Sequence, residues 1–182
     1  MNTNQMLKNV GTNIQEKAAL IWNVANTLVG LYKPHEYGLV ILPMCLVKRF
    51  HDCLLPTHKK VLETAEKVKD LQVKEGFLTK ASGYQFYNTS RFTFETLLAD
   101  SANIADNFED YLNGFSDNVK DILHRMKFED QIKTMKEGKV LYQVISDFNS
   151  AKADMSPEKI SAIDMGYIFE NLVQRFSESY DE

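Results

Sequence analysis

The chain has 182 residues, of which 44% are hydrophobic and 25% charged, with a formal net charge of −4. This balance is typical of a folded soluble domain and excludes a disordered chain. The longest apolar run, from Gly38 to Val47, is about half of the roughly 20 residues that a membrane span needs. No secretory signal precedes it, and the two cysteines, Cys45 and Cys53, suit a reducing compartment. We therefore expect a cytoplasmic domain without a membrane role.

Charge is distributed unevenly along the chain. Residues 1–80 carry a formal charge of +4, whereas residues 81–182 carry −8. The first part could contact phosphates, and the second part would repel them. Solvated helix faces produce the same imbalance, so this plainer explanation stays open.

The first predicted helix has clear end signals. Thr12 and Gln15 have the form of a capping box, which predicts that the helix begins there. Apolar positions between Ala18 and Val29 then follow one helical face, and Gly30 is a natural C-terminal stop.

Two more helices are predicted before residue 74. Pro34 is well placed as the first residue of a helix that reaches about Leu54, and Pro43 within it should kink or split that helix. A charged amphipathic helix follows Pro56.

The helical pattern breaks near residues 74–92. Two glycines, several hydroxyl residues and the lack of a helical period predict one long irregular loop or a small extended excursion. Loops of this length in compact domains are often functional.

Short helices are predicted for the rest of the chain. Thr93, Ser101 and Ser116 are residue types that cap helices, and two more helical periods follow residue 128. Ser156 and Pro157 form a cap and first-turn pair before a last helix. The predicted fold class is therefore all-α, a bundle-like single domain over residues 1–182.

Motifs for catalysis and cofactor binding are missing from the sequence. The eight glycines and four prolines are dispersed, so they form neither a dinucleotide loop nor a P-loop nor a tandem-proline loop. Cys45, His51, Cys53 and His58 lie close together but do not have zinc-ligand spacings. Nothing supplies the third group that a Cys–His nucleophile needs. We expect no catalytic residue, no cofactor and no metal in this chain.

A basic cluster is the best candidate for a binding surface. It contains Lys48, Arg49, Lys59 and Lys60. Such side chains could contact phosphates. The solvent-exposed ends of two helices would have the same composition, so both explanations stay open.

Three stretches carry a resemblance to a known family: IWNVANTLVGLYKPHEYGLVILPMCLVKRF; GYQFYNTSRFTFETLLAD followed by ANIADNFEDYLNGFSDNVKDIL; and MGYIFENLVQRFSES. Together they resemble the N-terminal helical domain of the modification (M) subunit of type I restriction-modification systems. Their order and spacing also agree with that family over nearly the whole chain. Four positions within the second stretch match the family pattern without an assigned role: Tyr87, Asn88, Ser90 and Asn107.

The resemblance implies a function that this chain serves indirectly. In that family the helical domain precedes a catalytic domain, which binds S-adenosylmethionine and methylates adenine at N6 in DNA. That catalytic part carries a Gly-rich loop and an Asn-Pro-Pro-[Phe/Tyr] motif, and this chain has neither. The resemblance therefore implies the N-terminal part of a longer subunit, which is not active alone and helps to clamp DNA.

The resemblance also implies partners. These would be DNA, the specificity (S) subunit, a second M subunit and the restriction (R) subunit. The acidic second half of the chain leaves an alternative from another class, a free-standing helical adaptor that binds proteins and has no DNA role.

Overall fold

This computed structural model describes residues 3–180 of the chain, and the side chains of residues 11–177. All regular secondary structure in that part is helical. No strand occurs in that part, so the predicted all-α fold class is confirmed. The helices are α1 (Thr3–Leu28), α2 (Gly38–Leu54), α3 (His58–Lys67), α4 (Glu75–Ser82), α5 (Phe94–Leu98), α6 (Ile104–Asn113), α7 (Asp117–Arg125), α8 (Phe128–Glu137), α9 (Leu141–Asp147) and α10 (Ala162–Tyr180). Within this range, no helix combines the length and apolarity that crossing a bilayer requires.

One main hydrophobic core joins α1, α2 and α5–α10. Aromatic rings lie near its centre: the ring centroids of Phe94 and Phe108 are 6.4 Å apart at 88°, and Phe108 meets Phe128 in the same edge-on manner. Each of these three rings is at most 1% exposed. Full burial of such a side chain contributes roughly 1.5–3 kcal/mol, so the aromatic cluster is a major source of stability.

The helices α3 and α4 form a hairpin with a small apolar cluster of their own. Val61 of α3 packs there with Leu78 and Ala81 of α4. The formation of α4 corrects the prediction of one irregular stretch over residues 74–92, because residues 75–82 are helical. Residues 83–93, which we call the irregular segment, separate α4 from α5. Gly83 belongs to the helix end: at φ +83° it donates its N–H to the Thr79 carbonyl.

The predicted start of the first helix was wrong, and so was one of the two outcomes expected at Pro43. Thr12 and Gln15 lie inside α1, which already begins at Thr3. Pro43 does not split α2, which is continuous from Gly38 to Leu54. Pro43 has no N–H to donate to the Leu39 carbonyl, so α2 lacks that one bond and still continues.

The start of the last helix was also predicted wrongly. Ser156 and Pro157 lie before and in a turn, and α10 begins only at Ala162. Ser161 caps it instead, since its Oγ accepts the N–H of Asp164 at 3.1 Å.

The buried face of α1 differs from the predicted apolar face. Leu20, Val24 and Leu28 are fully buried, whereas Trp22 and Val29 are 71% and 65% exposed. The helix carries apolar residues around most of its circumference. Its periodicity therefore could not decide which stripe faces the core, and packing with the other helices decides it.

Two lysines at the ends of α8 adopt a left-handed backbone conformation. Lys127 and Lys139 have φ of 54° and 61°, and both side chains are exposed. This conformation costs a non-glycine residue roughly 1–2 kcal/mol. Replacing either lysine with glycine should raise the free energy of unfolding by up to about 1 kcal/mol in urea denaturation.

Lys133→Gly is the matched control for this prediction, because Lys133 is also exposed but lies within α8. There glycine should lower the free energy of unfolding by about 1 kcal/mol. A loss of stability in Lys127→Gly and Lys139→Gly as well would show that the left-handed turns carry no strain.

Candidate functional site

The fold divides the predicted basic cluster into a buried pair and an exposed pair. Lys48 is 5% exposed and Arg49 is half-buried, both on α2. Lys59 and Lys60 are exposed in the first turn of α3. The four side chains therefore do not form one exposed surface.

Lys48 belongs to a buried ion pair. Its Nζ donates to Asp52 Oδ2 at 2.7 Å and to the Ala153 carbonyl at 3.1 Å. The N–H of Met155 donates to the same Asp52 oxygen at 2.9 Å. Burial alone would raise the pKa of Asp52, but the hydrogen bond from His51 and the charge of Lys48 hold it below its ordinary value. The pair thus fixes the segment after α9 to α2.

His51 extends this network to α5. Its Nε2 accepts the N–H of Phe94 at 3.0 Å, and its Nδ1 lies 2.8 Å from Asp52 Oδ1. Because Nε2 is the acceptor, the proton of the neutral ring is on Nδ1 and is donated to Asp52. Burial lowers the pKa of His51 below its ordinary value, against the influence of Asp52, which favours the charged form.

Arg49 and Lys17 bind the same segment through its backbone. The Arg49 Nη1 donates to the Met155 and Ile160 carbonyls, both at 2.8 Å. Lys17, only 1% exposed, donates to the Lys152 carbonyl at 2.8 Å. This segment has little regular structure, so its carbonyls depend on side-chain donors. The cations of α1 and α2 supply those donors.

The family-pattern residues Asn88 and Ser90 attach the irregular segment to the end of α6. Asn88 donates from Nδ2 to the Tyr111 carbonyl at 2.9 Å, while its Oδ1 accepts the N–H of Ser90 at 2.7 Å. Ser90 Oγ donates to Asp110 at 2.8 Å. Both residues are buried, and every contact named here is within the chain.

Tyr87 and Asn107 also make contacts within the chain. The backbone N–H of Tyr87 donates to Ser116 Oγ at 3.2 Å, and the Ser116 N–H donates to the Tyr87 carbonyl at 3.0 Å. Asn107 donates from Nδ2 to Asp100 at 2.9 Å. All four family-pattern positions thus hold helices and loops together.

A smaller basic surface forms where the irregular segment meets α3. His58 Nε2 donates to the Ser90 carbonyl at 2.8 Å, which brings the exposed Arg91 to the start of α3. We call Lys59, Lys60 and Arg91 the basic surface. Sequence reasoning missed Arg91 because it is far from Lys60 along the chain, and only the contact of its neighbour Ser90 with His58 places it near the start of α3.

The cysteines and histidines near residue 50 do not converge on one site. Cys45 is 1% exposed within the main core, and burial raises the pKa of its thiol to about 12. Such a thiol is a poor nucleophile. In the part of the chain with described side chains, no group of three or more His, Cys, Asp or Glu residues is placed to hold a metal ion.

An apolar groove of about 530 Å³ lies between the start of α2 and the end of α10. Leu39 and Leu42 of α2 face Val173 and Phe176 of α10 across it. The helices approach closely here, since a Cβ on Gly38 would lie 2.9 Å from Phe176 Cγ. Apart from His35 and Ser177 the lining is apolar, which suits packing.

Comparison with known proteins identifies the family. The model of the HsdM N-terminal domain matches residues 17–148, which extend from within α1 to the residue after α9. Neither a curated protein nor a solved structure matches the chain. The chain belongs to the HsdM N-terminal domain family, the N-terminal domain of the modification (M) subunit of type I restriction-modification systems.

Proposed function

We propose that this domain supplies sequence-independent phosphate contacts to DNA within a type I restriction-modification complex. The observation that carries the proposal is the exposed basic surface, Lys59, Lys60 and Arg91, in a chain of this family. Lysine and arginine contacts with phosphates position a protein on DNA without reading its sequence. The domain would therefore help to clamp the duplex while the specificity subunit reads the target.

Lys48 and Arg49 are less available for phosphate contacts than the residues of the basic surface. Their donors are directed to Asp52 and to backbone carbonyls within the chain. Phosphate binding by these two residues stays a prediction from the sequence. The proposal consequently rests on the basic surface.

We assign methyl transfer to a separate catalytic domain of the complete subunit. Family membership supports a DNA methyltransferase that uses S-adenosylmethionine and modifies adenine at N6. The dispersed glycines of this chain provide no loop for that cofactor, so its residues do not fit an S-adenosylmethionine site. We further propose that the domain works in the bacterial cytoplasm with the S subunit, a second M subunit and the R subunit.

The basic surface can be tested in the M subunit that carries this domain, assembled with its S subunit. Changing Lys59, Lys60 and Arg91 to alanine should weaken DNA binding about equally on specific and non-specific duplexes. The slope of log K against log salt concentration should become shallower by about 0.9 for each phosphate that the variant no longer neutralises. Affinity measured across a salt series checks both results.

The control variant changes Lys133, Lys136 and Lys139 to alanine, three exposed lysines in α8 and directly after it. It removes the same charge and should leave the salt slope unchanged. Equal effects in both variants would indicate a net-charge effect alone. An unchanged slope in the basic-surface variant would refute the phosphate contacts and favour a role in protein docking.

A further inference from the structure

A cleft between α6, α7 and α8 has an apolar floor. Its volume is about 510 Å³, within the range of ligand pockets. Leu112 of α6 lines it together with Phe128 and Ile132 of α8. Phe128 and Ile132 are 1% and 3% exposed, so an apolar side chain from outside would lose its hydration mainly by packing on the half-buried Leu112.

The rim of this cleft is acidic. Glu109, Asp121 and Glu129 each come from a different helix, and all three residues are exposed. Three carboxylates around one apolar floor favour a cationic ligand, and they repel phosphates.

The cationic residues of the lining do not neutralise this rim. Lys120 lies 3.5 Å from Asp117, a carboxylate outside the lining, and donates to the Asn113 carbonyl at 3.4 Å. His124 Nδ1 lies 2.9 Å from Glu129 Oε1. The lining residues therefore have a negative formal charge, whether His124 is neutral or protonated.

We propose that this cleft docks a segment of a partner protein in which an apolar side chain is flanked by arginine or lysine. The apolar side chain packs on the floor, and the flanking cations pair with Glu109, Asp121 and Glu129. Guanidinium groups suit such a rim because they donate two parallel hydrogen bonds to a carboxylate. Complementary charge also sets the orientation of the segment and speeds its encounter with the cleft.

The docking site shares no residue with the proposed DNA contacts. The basic surface lies on α3 and the irregular segment, whereas the cleft belongs to α6–α8. Each proposal can fail without the other.

Labelled peptides on the intact 182-residue chain test the docking site. The probe is a short fluorescein-labelled peptide that repeats Arg-Leu-Arg, compared with Glu-Leu-Glu and Arg-Ser-Arg versions. Only the first should bind with a dissociation constant below about 1 mM in fluorescence anisotropy. Its binding should weaken as salt is raised, and it should shift the amide NMR signals of Leu112, Leu123 and Ile132.

Matched charge variants make the test specific. Neutralising the rim jointly (Glu109→Gln, Asp121→Asn, Glu129→Gln) should weaken the Arg-Leu-Arg peptide at least about tenfold. The control neutralises three exposed carboxylates outside the cleft, and it should leave peptide binding unchanged: Glu95→Gln, Asp106→Asn and Glu137→Gln.

Three outcomes would overturn the docking site. The first is no binding of the Arg-Leu-Arg peptide up to about 1 mM. The second is equal weakening in both sets of variants, which would reduce the effect to net charge. The third is a duplex DNA probe that shifts the same amide signals, which would make nucleic acid the occupant of the cleft.

Discussion

Replacing Asp52 with alanine should lower the free energy of unfolding by about 3–5 kcal/mol, measured by urea denaturation at neutral pH. Asp52 pairs with the Lys48 ammonium at 2.7 Å inside the protein. Without it, Lys48 keeps the Ala153 carbonyl, while the N–H of Met155 and the Nδ1–H of His51 lose their acceptor. A buried charge without its counterion is among the most costly defects in a folded protein.

Two further variants separate the ion pair from general effects of the substitution. Asp70→Ala makes the same change at an exposed position between α3 and α4, and should stay within about 0.5 kcal/mol of the original chain. Lys48→Met combined with Asp52→Ala should recover part of the loss, because no uncompensated charge remains. If Asp52→Ala cost less than about 1 kcal/mol, the pair would not be stabilising. Lys48 would then again be a candidate for phosphate contact.

Replacing Gly114 with alanine should cost about 2–4 kcal/mol of stability. The added Cβ would lie 2.5 Å from Asn88 Oδ1 and 2.6 Å from the backbone nitrogen of Ser90. That nitrogen cannot move freely, since its N–H donates to Asn88 and the neighbouring Thr89 N–H donates to the Gly114 carbonyl at 2.8 Å. Thermal unfolding should show a fall of about 2–4 °C in Tm for each kcal/mol of destabilisation.

Gly166→Ala is the control for this steric prediction. Gly166 lies within α10, and no atom that the added Cβ could meet lies within 4 Å. Alanine should therefore stabilise this helix by about 0.5–1 kcal/mol. A similar response of the two variants would show that the loop at Asn88 and Ser90 relaxes around a larger residue.

Local hydrogen bonds explain which helix boundaries could be predicted from the sequence. Thr93 accepts the N–H of Thr96 at 3.2 Å and so begins α5 as expected. Gly30, at φ +89°, follows the end of α1. Both signals act through residues that are close in sequence. The choice between the two apolar faces of α1 depends on distant helices, and for that reason the exposure of Trp22 was not predictable.

In the candidate site, too, contacts between residues close in sequence could be predicted and contacts between distant residues could not. Lys48 and Asp52 are four residues apart on a predicted helix, a spacing that places opposite charges side by side. An ion pair could therefore have been predicted, but its burial beneath residues 153–155 could not. The burial of Lys17 has no comparable signal. Arg91 joins the basic surface only through the contact between His58 and Ser90.

The cation-bound segment after α9 also affects the order in which the protein folds. Lys17, Lys48 and Arg49 bind carbonyls 135, 105 and 106 residues further along the chain. Contacts between such distant positions form slowly, because a long loop must close first. During synthesis on the ribosome, α1 and α2 emerge long before these carbonyls exist. These contacts of α1 and α2 can therefore form only after the polypeptide beyond α9 has been made. A chain truncated after the family-matched residues would leave the three cations without these acceptors.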